Sequence, residues 1–178
     1  MINTEKQIQD TFIKLLDRYE FDEIDVNTIC STLNIKRQTF YYHFKNIYDV
    51  IYSIYCYKKV SDFYDNNINS IVNAVFVFLY KDQLFNTTIA KSNANEVLKD
   101  FLSNYVNFAL VKILDRYNLK INDKKEIARF YSRAICEQCL YYFSLGEYSV
   151  QEGVEKISLL FNDDILKTVI RKYQNIIA

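Results

Sequence analysis

Apolar residues recur along most of the chain at intervals of three and four, the spacing that lines one face of an α-helix rather than the alternation of a strand. Ile8, Phe12, Leu15, Leu16 and Tyr19 set this rhythm first and predict a helix from about Glu5 to Glu20. Thr4-Glu5-Lys6-Gln7 ahead of them has capping-box spacing. Asp25 is placed to cap a short second helix through Leu33, because its carboxylate can accept first-turn amide hydrogens. Asn34, a residue that tolerates the left-handed conformation, ends it. A third helix covers about Arg37 to Phe44. A fourth follows Lys45-Asn46, with Val50, Ile51, Ile54 and Tyr55 as its apolar stripe. Longer pieces are predicted over roughly Ile68 to Tyr80, Leu84 to Ala90, Glu96 to Tyr117, Lys124 to Leu145 and Val150 to Tyr173. Asp123-Lys124-Lys125-Glu126 and Ser149-Val150-Gln151-Glu152 read as capping boxes for the last two, and Gly146 is placed to close the helix before the last.

Glycine occurs twice and proline never in the 178 residues, so turns must rely on Asn, Asp and Ser, and an all-α fold follows. Half the residues are hydrophobic and 16% are aromatic, a composition that buries a core and excludes disorder. Lys plus Arg equals Asp plus Glu at 22 each, so any surface for nucleic acid must be local. The greasiest run, Ile71 to Tyr80, falls short of the ~20 apolar residues that span a bilayer. The opening residues hold no signal-peptide stretch, and the expectation is a cytoplasmic protein with its four cysteines reduced and no membrane partner.

The segment from Asp25 to Lys45 combines short helix, tight turn and short helix, the form of a helix-turn-helix whose second helix enters the major groove of DNA. Val26, Ile29, Cys30, Leu33, Ile35, Phe40 and Phe44 are expected to face inward and fix the angle between the two helices. Lys36, Arg37, Gln38, Thr39, Tyr41, Tyr42, His43 and Lys45 remain for the outer surface, with no acid between Asp25 and Asp49. Cations there neutralise phosphates, while Arg37, Gln38 and Thr39 at the helix start are placed for base edges. A generic packed hairpin accounts less well for inward aromatics alternating with outward Tyr, His and Lys.

The string Thr39-Phe40-Tyr41-Tyr42-His43-Phe44-Lys45-Asn46 resembles the hallmark that ends the recognition helix in the tetracycline-repressor (TetR) family. The resemblance covers about Gln7 to Tyr55, including Ile29, Leu33 and Ile35 and the entry Tyr48-Asp49-Val50-Ile51. It implies a DNA-binding head over residues 1–47 and a helical effector-binding and dimerisation domain over 48–178. It also implies that Arg37, Gln38, Thr39, Tyr41 and His43 contact DNA and that Lys45 pairs with phosphate. Asn34 replaces the usual turn glycine, Lys36 the usual capping Ser or Thr, and Ile47 a common second Lys. Lys6, Lys14, Arg18, Lys36, Arg37 and Lys45 are outnumbered by Glu5, Asp10, Asp17, Glu20, Asp22, Glu23, Asp25 and Asp49, so modest and strongly salt-sensitive affinity is expected.

Elsewhere the chain offers little chemistry. The single histidine, His43, lies in the DNA-reading segment, so histidine triads and multi-His metal sites are unsupported, no cofactor is expected and enzymatic activity is disfavoured. Cys136-Glu137-Gln138-Cys139 has metal or redox spacing but sits mid-helix, where buried core thiols are the plainer reading and a thiol sensor the other. Phe76, Phe101, Tyr105, Phe108, Tyr131, Cys139 and Tyr142 are candidates to line a small-molecule cavity. Ile127, Phe130, Ala134, Ile135, Val154, Ile157 and Phe161 spread over more of the last two helices than one neighbour can cover, which points to a homodimer through a four-helix bundle. The expected partners are thus a palindromic operator in double-stranded DNA, a second copy of the chain, and an apolar or aromatic effector. The competing reading gives the C-terminal domain a partner protein in place of the effector.

Overall fold

The computed structural model describes residues 4–58, 60 and 67–176, and all their regular structure is helical. The order is α1 (Thr4–Leu16), a 3₁₀ turn (Phe21–Glu23), α2 (Val26–Leu33), α3 (Arg37–His43), α4 (Ile47–Lys58), α5 (Ile68–Lys81), α6 (Gln83–Ala90), α7 (Asn95–Leu114), α8 (Ile121–Leu145), α9 (Val150–Ser158) and α10 (Asp163–Ile176). Among the described residues no helix is long and apolar enough to cross a membrane. The chain divides into two compact units, Met1–Lys59 with Leu84–Leu98, and Val60–Gln83 with Lys99–Ala178.

In the first unit, Ile8 and Phe12 of α1, Ile29 of α2, Phe40 of α3 and Val50, Ile51 and Tyr55 of α4 are fully buried. Phe12 meets Phe21 edge to face at 6.4 Å, and Tyr55 meets Phe85 of α6 at 5.6 Å. One buried polar contact ties α1 to α4: the Gln9 amide donates to the Ser53 hydroxyl at 3.0 Å. α6 therefore belongs to the core of the unit that carries α1 to α4.

In the second unit, Ile71, Val75, Phe76 and Leu79 of α5, Leu102, Val106 and Leu110 of α7, Ile135 and Cys139 of α8, and Ile157 of α9 are buried, with α5 packed against α8 and α9. α5 and α9 approach closely at Gly153, whose missing side chain makes room for the Phe76 ring. The Tyr80 hydroxyl donates to the Tyr148 carbonyl. Asp163 at the start of α10 accepts the Ile68 amide at 3.2 Å and so covers the free end of α5.

Helix boundaries differ from expectation where a cap or a break leaves apolar spacing undisturbed. α1 already includes Thr4, so the proposed Thr4 cap lies inside it, and the helix stops at Leu16 with a turn to Tyr19. Asp123 likewise falls inside α8, which begins after Lys120. The final stretch is two helices rather than one. Asn162 separates them, its side-chain oxygen accepting from the amides of Asp164 (3.1 Å) and Ile165 (3.0 Å) while its amide donates to the Ser158 carbonyl at 3.0 Å. The apolar residues on either side keep helical spacing through this break, which is why the pattern alone runs them together.

Candidate nucleic-acid interface

Two backbone devices set the geometry of the short helices α2 and α3. The Asp25 side chain accepts from both the backbone amide and the hydroxyl of Thr28, each at 2.7 Å, which fixes where α2 begins. These hydrogen bonds hold the Asp25 carboxyl below its ordinary value. Asn34 at the other end adopts φ 53° and ψ 45°, the left-handed turn that a glycine would take without strain. Its N–H points back to the carbonyls of Cys30 and Ser31. The chain then re-enters a helix at Arg37.

α3 is anchored by two rings. Phe40 is fully buried and Phe44, just past the helix, nearly so, with centroids 5.9 Å apart. Ile29 and Cys30 are buried too, whereas Val26, Leu33 and Ile35 are only half-buried, so the inward set is narrower than expected. With that face inward, α3 turns Arg37, Gln38, Tyr41 and Tyr42 to solvent, and Lys36 and Lys45 flank them, also exposed. Thr39 and His43 are half-buried. Tyr42 is 84% exposed, an outward placement with no folding benefit for so large a ring.

Within this face the Arg37 Nη2 donates to the Tyr41 hydroxyl at 3.2 Å, and the guanidinium carbon lies 5.8 Å from the ring centroid. The hydrogen bond to the Tyr41 hydroxyl raises the Arg37 pKa above its ordinary value. At the far end, Asn46 and Asp49 close the start of α4: the Asp49 amide donates to Asn46 at 3.0 Å and the Asp49 carboxylate accepts the Lys45 amide at 3.1 Å. The Lys45 ammonium is left outside this closure. The face can therefore present a cationic fork, two phenols and lysine amines to an anionic, hydrogen-bonding surface.

The other predicted sites are less coherent. Phe76 and Cys139 are sealed in the core of the second unit, Phe101 packs on Phe78 at 5.5 Å, Tyr142 meets Tyr148 at 5.3 Å, and Tyr105 is half-buried. Phe108 is 58% exposed, with the Lys112 ammonium 4.4 Å from its ring centroid. Of the seven candidate effector residues, Tyr131 alone lines an open groove of about 710 Å³ between α8 and α10 that also takes in Arg129, Phe130, Arg133, Val169 and Tyr173. Of the candidate dimer residues, Ile127, Ile135 and Ile157 are buried within the chain itself, Ala134, Val154 and Phe161 are half-buried, and Phe130 is 66% exposed. Ile127, Ile135 and Ile157 are core residues of this unit, and the outward apolar positions include Ile121, Phe130, Tyr141 and Leu145 on α8, Leu159 and Leu160 after α9, and Ile165 on α10. The sequence had singled out neither Leu160 as exposed nor the Arg37–Tyr41 pair, although the i, i+4 spacing of that pair is visible in it.

Cys136 and Cys139 are buried, and burial pushes the Cys136 thiol up to about 12 despite the opposing Ser103 hydroxyl; the Cys139 thiol is raised as well. Among the described residues no group of three or more His, Cys, Asp or Glu could hold a metal ion.

No family model matches the chain. No curated protein matches it either. Among solved structures, a protein described as "Dihydroxyacetone kinase operon activator DhaS" shares its fold, with a TM-score of 0.61 and 22% sequence identity over 97% of this chain and 99% of that one.

Proposed function

We propose that the chain is a ligand-responsive transcription regulator that binds double-stranded DNA. The observation that carries this reading is the outer face of α3: Arg37, Gln38, Tyr41, Tyr42 and Lys45 stand in solvent while Phe40 and Phe44 lock the helix from beneath. That is how a recognition helix presents base-reading and phosphate-binding groups without losing its orientation. Likeness of fold to a protein named as an operon activator supports the same reading.

In this proposal residues 1–47 read the DNA and residues 48–178 sense an effector and pair two copies. Pairing uses α8 and α10, where Phe130 stands outward beside the open groove, and gives the two-fold symmetry that a palindromic operator requires. The regulator acts as a repressor, and an apolar or aromatic effector releases it by altering the separation of the two recognition helices. A second reading is favoured by the word "activator" in the name of the protein with this fold: the C-terminal domain binds a partner protein and DNA binding turns genes on.

Selection from a pool of duplexes with a randomised core tests the DNA assignment. The wild type should enrich an inverted repeat, and Arg37→Ala with Tyr41→Ala should abolish the enrichment while leaving the melting curve in place. Enrichment by the double variant equal to wild type overturns the assignment. A thermal-shift screen against small aromatics, lipids and quaternary amines separates the two readings of the C-terminal domain, since a bound effector raises Tm and silence across the library favours a protein partner.

A further inference from the structure

Arg37 and Tyr41 form a unit whose rigidity has a visible source. Phe40 is fully buried; the Tyr41 ring stands edge-on against it, with centroids 5.6 Å apart and planes at 89°. One helical turn earlier, Arg37 lays its guanidinium beside that ring and donates Nη2 to the hydroxyl at 3.2 Å. The core thus braces a tyrosine, and the tyrosine braces an arginine, on the exposed face of α3. A long side chain at a solvent-facing position ordinarily samples many rotamers, and ordering it weakens binding. Here much of that ordering is already done.

The partner's chemistry matters as much as its position. Among the described residues Arg37 makes no salt bridge, and what holds it is a neutral hydroxyl. A carboxylate in that place would orient the fork but cancel its charge toward an anionic ligand. The tyrosine orients it and leaves the charge whole. Its oxygen accepts one N–H, which leaves the other N–H groups for two acceptors and leaves its own O–H to donate.

Building on the proposed DNA-binding role, we propose that Tyr41 is a positioning residue that holds the Arg37 fork to read a guanine in the major groove. Guanine is the base that presents two acceptors, O6 and N7, at the spacing of an arginine fork. The Tyr41 O–H donates to a phosphate oxygen of the same half-site, so the pair spans backbone and base and locks the register between them.

The test uses the full-length protein and its Tyr41→Phe, Arg37→Ala and Arg37→Ala/Tyr41→Phe variants. Each is taken through selection on randomised duplexes and then titrated against the selected site with every base pair changed in turn. Tyr41→Phe keeps the ring on Phe40 and removes only the hydroxyl, so its melting temperature should match wild type. Wild type should prefer guanine at one position of each half-site by about tenfold. Arg37→Ala should erase that preference. Tyr41→Phe should cut it several-fold at that position alone, and adding it to Arg37→Ala should change discrimination no further. A Tyr41→Phe protein that weakens on all sequences equally while keeping the guanine preference overturns the positioning role and leaves the DNA-binding role standing, as does a variant identical to wild type. A wild type that enriches no sequence overturns both.

Discussion

Alanine is the better helix former by about 1 kcal/mol, yet Gly153→Ala should destabilise the protein. A Cβ at Gly153 would lie 2.5 Å from the tip of the Phe76 ring and 2.8 Å from the two carbons beside it. Phe76 is fully buried and cannot retreat into solvent. Overpacking against a ring that cannot move away costs up to about 3 kcal/mol, which outweighs the propensity gain, so a net loss of up to about 2 kcal/mol and a fall in Tm of up to several degrees are expected. Adding Phe76→Leu should recover some of the loss. A Gly153→Ala protein that melts at or above wild type disproves the close approach. Nothing in the sequence distinguishes this glycine, because a close approach depends on a partner 77 positions away. Gly146 was legible for the opposite reason, since a glycine after a run of helical spacing marks an end, and it does take φ 70°. The exposed face of α3 was legible at Arg37, Gln38, Tyr41 and Tyr42 because inward Phe40 and Phe44 alternate with outward polar residues, though Thr39 and His43, expected outside, are half-buried. Phe and Tyr in a core and in a cavity carry the same signature, so the spacing could not say that Phe76 and Cys139 are sealed in the core.

The helix ends separate what spacing reveals from what it hides. Asp25 and Ser149 were readable as caps because a short polar side chain stands directly before an apolar run, and both accept the third amide of their helices. Asn162 stands inside such a run and was not readable. Asp25→Ala should cost about 1 kcal/mol at neutral pH. Its carboxyl titrates lower in the folded chain than in the unfolded one, so the contribution is present above the unfolded value near 3.8 and fades as pH falls through the folded one. Urea titrations of wild type and Asp25→Ala should therefore differ at pH 7 and converge only as pH falls below 3.8 and through the folded-state value. A gap that persists in acid would assign the effect to something other than the ionised cap. Asn162→Ala removes acceptors for two amides and a donor to Ser158, and a loss of about 1–2 kcal/mol is expected in the same assay. No loss would mean that water replaces the side chain at no cost.

At the scale of the whole molecule, the proposed dimer turns on which apolar residues are already spent inside one chain. Ile157 is fully buried, so Ile157→Asp should unfold its unit rather than separate one subunit from the other. Phe130→Asp is the informative change: it should give monomers of wild-type helicity by sedimentation and circular dichroism, with operator binding at least tenfold weaker. A Phe130→Asp protein that still sediments as a dimer moves the interface elsewhere. The cysteines offer a different kind of measurement. Cys56 is exposed, whereas Cys30 is buried in one compact unit and Cys136 and Cys139 in the other. Alkylation requires a thiolate that a reagent can reach, and a thiol raised to about 12 inside the core supplies almost none. In excess reagent, intact-mass spectra should show one adduct within the first moments and then a long pause. Each later adduct is a clock tick from a unit that has opened, Cys30 keeping time for one and the Cys136–Cys139 pair for the other. The distribution of thiols thus makes the untouched wild-type chain a two-channel recorder of its own breathing, with no probe to engineer.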